Sequence, residues 1–161
     1  MEPTIVNLKE KKIIGCSCKM NSINNKTGEL WKSFMPRLKE IKNKISADLF
    51  SVQIYNADYN FNQFDPSIQF TKWAAAEVSS FKKVPADMET LIINAGLYAI
   101  FLHKGSNLNN STHQYIFQKW LPTSEKYILD ARPHFEVLGE KYKNGDPSSE
   151  EEIWIPIRLK I

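Results

Sequence analysis

The sequence predicts an α+β domain: two βαββ units in one antiparallel sheet, with the helices on one face and a ligand cleft on the other. Three observations lead there. Short runs alternate apolar and polar residues with period two, two stretches carry helical signals and each meets a proline, and the same order of elements recurs in both halves of the chain.

Lys11 to Lys19 reads as the first strand, short and partly β-branched. The turn Asn24-Asn25-Lys26-Thr27-Gly28 follows. Beyond it Leu30, Phe34, Leu38, Ile41 and Ile45 form one apolar stripe on a helix, with a kink expected at Pro36. Leu49 to Tyr55 alternates, with Phe50, Val52 and Ile54 on one side. The Asn- and Asp-rich stretch 56–67 is a loop, and Phe70 to Val78 is a strand around Trp73. In the second half, Leu91 to Leu102 reads as one long apolar strand. A helix starts near Asn109-Asn110-Ser111-Thr112 and runs to about Trp120, where Leu121-Pro122 stops it. Phe135–Glu140 and Ile153–Leu159 are the last strands, joined through Lys143-Asn144-Gly145-Asp146-Pro147.

Laid on itself, the chain matches Asn24 with Asn109, Thr27 with Thr112, Phe50 with Phe135 and Val52 with Val137. Small gaps bring Pro36 onto Pro122 and Trp73 onto Trp154. These matches fall at equivalent places in equivalent elements, so an internal duplication is expected, with halves of about 1–84 and 85–161 inside one domain, 1–161.

Composition narrows the function classes. An apolar fraction of 42% and a charged fraction of 24% are ordinary for a globular chain. The net charge of +3 is spread out and interrupted by Glu150-Glu151-Glu152, which is not the clustered basic face that nucleic acid requires. No signal pattern opens the chain and no apolar run reaches a membrane span, so a cytoplasmic location and no membrane partner are expected. Cys16 and Cys18 lack the second ligand pair of a zinc site, and His103, His113 and His134 show no metal-ligand spacing. No metal or cofactor is expected. No phosphate loop or nucleophile elbow is present.

Alternation sharpens the last strand. Ile153, Ile155, Ile157 and Leu159 share the face assigned to the core, and Glu152, Trp154, Pro156 and Arg158 share the opposite, open one. A carboxylate and a tryptophan then stand side by side where a ligand would lie.

Five motifs in order add a resemblance: Trp31-x-x-Phe34-Met35-Pro36, Gly96-Leu97-Tyr98-Ala99-Ile100-Phe101-x-His103-Lys104-Gly105, Phe117-Gln118-Lys119-Trp120-Leu121-Pro122-x-Ser124, Arg132-Pro133-x-Phe135-Glu136 and Glu151-Glu152-Ile153-Trp154-Ile155-Pro156-Ile157. Together they resemble the bacterial GyrI-like, or AraC-type, effector-binding domain over nearly the whole chain. The resemblance implies a duplicated βαββ fold with a pseudo-twofold axis, a cleft lined by aromatics and an acidic residue on the last strand. It also implies kinship with the sensor domains of transcription regulators and with multidrug binding. Only about ten residues precede the strand at Lys11, so direct DNA binding is not expected.

The candidate ligand-binding residues are Glu152, Trp154, Glu136, Trp73, Tyr98 and Tyr55. Glu136 and Tyr55 break the apolar side of their strands and so should face the cleft. Trp73 matches Trp154 by the internal repeat, and Tyr98 lies in a family motif. Glu152 among aromatic rings would pair with a cation, aided by cation–π contact with Trp154, or would direct a water in a hydrolase. The first reading makes the chain a binding protein for amphipathic or cationic aromatic compounds. The second makes it a hydrolase using Glu152, and the resemblance implies strained cyclopropane-containing or other xenobiotic electrophiles as its substrates. Regulation of a protein partner, which the resemblance also implies, is the third.

Overall fold

The computed structural model describes residues Met1–Ile161. Nine strands and two helical segments follow in the order β1 (Thr4–Leu8), β2 (Lys11–Met20), α1 (Thr27–Phe34), β3 (Leu49–Ile54), β4 (Phe70–Val78), β5 (Glu89–Ile93), β6 (Gly96–Lys104), α2 (Ser111–Tyr115), β7 (Tyr127–Leu129), β8 (His134–Leu138) and β9 (Glu150–Leu159). All ladders are antiparallel and the sheet order is β1-β6-β9-β8-β3-β4-β2-β5, with β7 on β9. The expected α+β architecture is met.

Pro36 acts as anticipated. It cannot donate a backbone hydrogen bond, and from Met35 to Glu40 the chain tightens into a 3-10 turn. On the other side α2 widens into a π-helical turn, Ile116–Trp120, before ending at Leu121–Thr123. Leu30, Phe34 and Ile41 pack on Ile14, Ala74 and Ala76 of β2 and β4. Ile116, with Phe117 and Trp120 beside it, packs on Ala99 and Phe101 of β6 and on Ile153, Ile155 and Ile157 of β9. Register places both packings on one face, because Ala74 faces Ser51, Ser51 faces Glu136 and Glu136 faces Ile153.

Three strands escaped sequence reading, the short β7 on β9 among them. β1 is five residues long and starts at Thr4, ahead of the anticipated first strand. The apolar run through residues 91–102 is two strands, broken at Asn94-Ala95. Gly96 after the break has φ +148°, and the Arg132 guanidinium lies 2.7 Å from where a β-carbon would stand, so only glycine fits.

The break matters for the whole sheet. β1 and β2 sit near opposite ends of the strand order, yet only Lys9 and Glu10 separate them in sequence. Asn94 and Ala95 alone link β5 to β6 in the same way. Two residues cannot span a flat eight-strand path, so the sheet rolls round and its ends come together. Leu8, Ile13, Ile93 and Tyr98 from the outer strands therefore join Phe50, Val52, Trp73 and Phe135 from the inner ones in a single cluster.

That closure corrects one expectation. The face away from the helices is not an open ligand cleft but a filled aromatic interior.

Candidate functional site

The two helices cover the flanks of the sheet, α1 over β2 and β4, α2 over β6 and β9, and leave the seam between β3 and β8 bare. On the helix side of that seam the residues are polar: Ser51 and Gln53 on β3, His134 and Glu136 on β8. Here lies a half-open cleft of about 210 Å³. Its floor is Gln53, His134, Glu136, Lys72 and Ile155. Its walls are Met20 and Thr27 on one side, His113 and Phe117 on the other, and Tyr55 and Phe70 close one end.

Glu136 is the deep carboxylate, 9% exposed. His113 Nε2 stands 3.4 Å from its Oε1, while Oε2 is buried with no hydrogen-bond partner. Burial, the largest influence, pushes its pKa up. The His113 ring and the Lys72 charge together outweigh burial and hold the carboxyl below its ordinary range. The site therefore contains an ionised carboxylate with one unmatched oxygen. His103 positions this arrangement from beneath α2. Its Nδ1 lies 2.7 Å from Thr112 Oγ1 and its Nε2 2.8 Å from the Ser106 carbonyl, so the end of β6 fixes the residue next to His113.

Aromatic rings surround the polar floor. Phe61, from the loop between β3 and β4, stacks on Phe117 at 4.8 Å and on His134 at 5.1 Å, each with planes 15° apart. Tyr55 meets Tyr59, Phe61, Phe70 and His134 at ring separations of 4.8, 4.9, 5.2 and 5.0 Å. Burial holds His134 down to about 3, so its imidazole is neutral and presents a flat face. It also pushes the Tyr55 phenol well above its usual range. The π-helical turn of α2 carries Phe117 into this stack.

Of the six residues expected at the site, the structure brings Glu136 and Tyr55 into the cleft, with Trp154 at its border. The Trp154 ring stacks on Phe135 at 5.1 Å in the interior instead. Trp73 and Tyr98 belong to that interior too, 6% and 0% exposed. Tyr98 donates to the Pro133 carbonyl at 2.7 Å, and its ring lies 4.6 Å from the Arg132 guanidinium. Glu152 is exposed near the start of β9, on the same face as Trp154, from whose Nε1 it accepts a hydrogen bond at 3.1 Å, and it does not line this cleft. Trp154, Phe135, Val52 and Trp73 form one registered row across four strands, on the filled side.

Sequence reading missed Gln53, Lys72, His113, Phe117, His134 and the Phe61 loop. A signal existed for three of them. Gln53 and His134 alternate with Val52 and Phe135 as Tyr55 and Glu136 do, and Lys72 faces Gln53 across the ladder.

Behind Glu136 sits a second carboxylate. Glu151 is 8% exposed, and burial followed by the Glu136 charge pushes its carboxyl up to about 7, with His113 and Lys72 opposing. From about pH 4.5 to 7 the folded chain keeps a proton that the unfolded chain has released. Stability from this group is thus full below the lower value and lost as pH rises through the upper. Glu151→Gln is expected to stabilise the protein by about 1–2 kcal/mol at pH 8, after allowing for solvent screening, and by little at pH 5. Urea denaturation at the two pH values measures the difference. An equal gain at both would contradict it.

Comparison with known proteins follows the same lines. Residues 4–157 match the family model described as Cass2, integron-associated effector binding protein. The chain belongs to that family, an effector-binding domain of the GyrI-like kind. The transcriptional regulator BrlR of Pseudomonas aeruginosa is 27% identical over 131 residues, covering 81% of this chain and 46% of BrlR. The chain thus spans about half the length of that regulator. Among solved structures, SAV2435 bound to tetraphenylphosphonium has a TM-score of 0.67 at 17% identity, over 98% of this chain and 94% of that one. The integron cassette protein VCH_CASS2 of Vibrio cholerae has a TM-score of 0.67 at 14% identity, over 98% and 96%. No helix of the chain is long and apolar enough to cross a membrane.

Proposed function

We propose that the protein is a cytoplasmic binding protein for amphipathic aromatic compounds that carry a cationic group, received between the two helices. Glu136 recognises the charge, and Phe117, His134, Tyr55 and Phe70 receive the rings. The observation that carries this reading is the unmatched, buried Glu136 Oε2 at the floor of an aromatic cleft. Such an oxygen is costly until a donor reaches it, and a cation brings that donor or an equivalent charge. The tetraphenylphosphonium held by SAV2435 is of this chemical class.

The test is a calorimetric titration with tetraphenylphosphonium. We expect saturable one-to-one binding, weakened about tenfold or more by Phe117→Ala and unchanged by Glu152→Gln. If Glu152→Gln abolishes binding while Phe117→Ala leaves it intact, the ligand lies on the other side of β9 and the reading fails.

A further inference from the structure

The cleft carries a second unmatched charge, of opposite sign. Lys72 of β4 lines it, yet its ammonium takes part in none of the ion pairs of the protein, which join Lys11 to Glu77, Arg37 to Glu40, His113 to Glu136, Arg132 to Asp130 and Lys141 to Glu150. Nor does it donate a side-chain hydrogen bond, whereas Lys44 and Lys160 donate to the Ile41 and Ser124 carbonyls. The register shows why. Lys72 faces Gln53, and Gln53 faces His134, so Lys72 and the Glu136 strand stand two ladders apart, about 10 Å at the backbone. Gln53 turns its amide to Ser51 Oγ at 3.4 Å and supports the Glu136 carboxylate, but makes no hydrogen bond with Lys72. Burial lowers the Lys72 pKa, and the carboxylates Glu136 and Glu151 oppose that loss.

We propose that Lys72 sets the charge selectivity of this cleft, so that the preferred ligand is a zwitterion whose cationic end meets Glu136 and whose carboxylate or similar anionic end meets Lys72. This rests on the binding reading above. A ligand with only a positive charge meets Glu136 but brings its charge close to an ammonium that no protein carboxylate neutralises directly. A ligand bearing both charges at separate ends of an aromatic scaffold meets the free Glu136 oxygen and the unpaired Lys72 ammonium at once, across the two ladders that separate their strands. Gln53, lying between, is a neutral amide that tolerates either end.

Rhodamine B and its ethyl ester provide the probe, since they share one cationic aromatic scaffold and differ only in the free carboxylate. Dissociation constants are measured by fluorescence anisotropy on the full chain. In the unaltered protein the acid is expected to bind about tenfold more tightly than the ester, equivalent to about 1.4 kcal/mol. Lys72→Met keeps the length of the apolar stem and is expected to bring the two affinities level, by tightening the ester and weakening the acid. Lys72→Gln should do the same, and melting curves confirm that both variants are folded. Preference for the ester in the unaltered protein, or a ratio unchanged by both substitutions, overturns the assignment of Lys72 and leaves the binding reading in place. If neither dye binds saturably to any of the three proteins, the binding reading falls, and this inference with it.

Discussion

Replacing Phe135 by alanine is expected to lower the unfolding free energy by about 3–5 kcal/mol. Phe135 is 1% exposed and lies at the centre of the rolled sheet. Its ring touches Phe50, Tyr98 and Trp154 at 5.6, 5.3 and 5.1 Å, so three aromatic neighbours lose a partner together. Ladders on both sides hold the walls, because β8 pairs with β3 and with β9, and the void cannot readily collapse. Equilibrium denaturation measures the loss, with a melting temperature expected to fall by roughly 10 °C. A loss under about 1 kcal/mol would mean that the interior closes over the gap and is loosely packed.

Glu136→Gln is expected to weaken tetraphenylphosphonium binding by about 10- to 100-fold while lowering the melting temperature only slightly. The substitution removes the only ionised group on the floor opposite Lys72 and keeps the side-chain shape. Charge-assisted contacts with a desolvated carboxylate are worth roughly 1.5–3 kcal/mol. Because His113 and Lys72 hold the carboxyl below its ordinary range, its charge contributes to stability at neutral pH, and the amide forgoes that contribution while sparing the desolvation of an ion. Calorimetry and thermal melts on the same samples separate the two effects. Loss of affinity with a large drop in melting temperature would show that Glu136 is a structural ion instead.

The sequence disclosed the elements more fully than their closure. The apolar positions Leu30, Phe34 and Ile41, the change of helix type around Pro36 and the alternation in β3, β4 and β9 are local patterns that hold in the structure, whereas the helix expected to carry the stripe on to Ile45 ends at Glu40 and leaves Ile45 exposed. The sidedness of the cleft was not local. On β9 the isoleucines lie beneath a helix, whereas on β3 and β8 the apolar residues Val52 and Phe135 lie on the opposite side. An alternation pattern states that two faces differ, not which of them meets a helix. Assigning every apolar face to one core therefore placed Glu152 beside the ligand and grouped it with Glu136, although the two carboxylates point to opposite sides of the sheet. The deciding features were β1 and the break before Gly96. β1 is too short and too mixed in character to stand out, and the break hides inside an apolar run. Phe61 gave no signal at all, because a ring in an Asn-rich loop shows where it goes only once the sheet beneath it is known.

The exchanged outer strands also shape how the chain reaches this structure. The β3–β4 and β8–β9 ladders join segments that are close along the chain, so they can form while the rest is still unfolded. β1 must find β6, with Thr4 opposite Ile100, and β8 must find β3 across a comparable stretch of chain. Closing such long loops costs entropy before any contact is gained. The rim formed by β1 and β5, like the β3–β8 seam, is therefore expected to zip after the local hairpins. Until it does, Tyr98 and Trp73 face water, and the aromatic interior is an adhesive surface open to other chains.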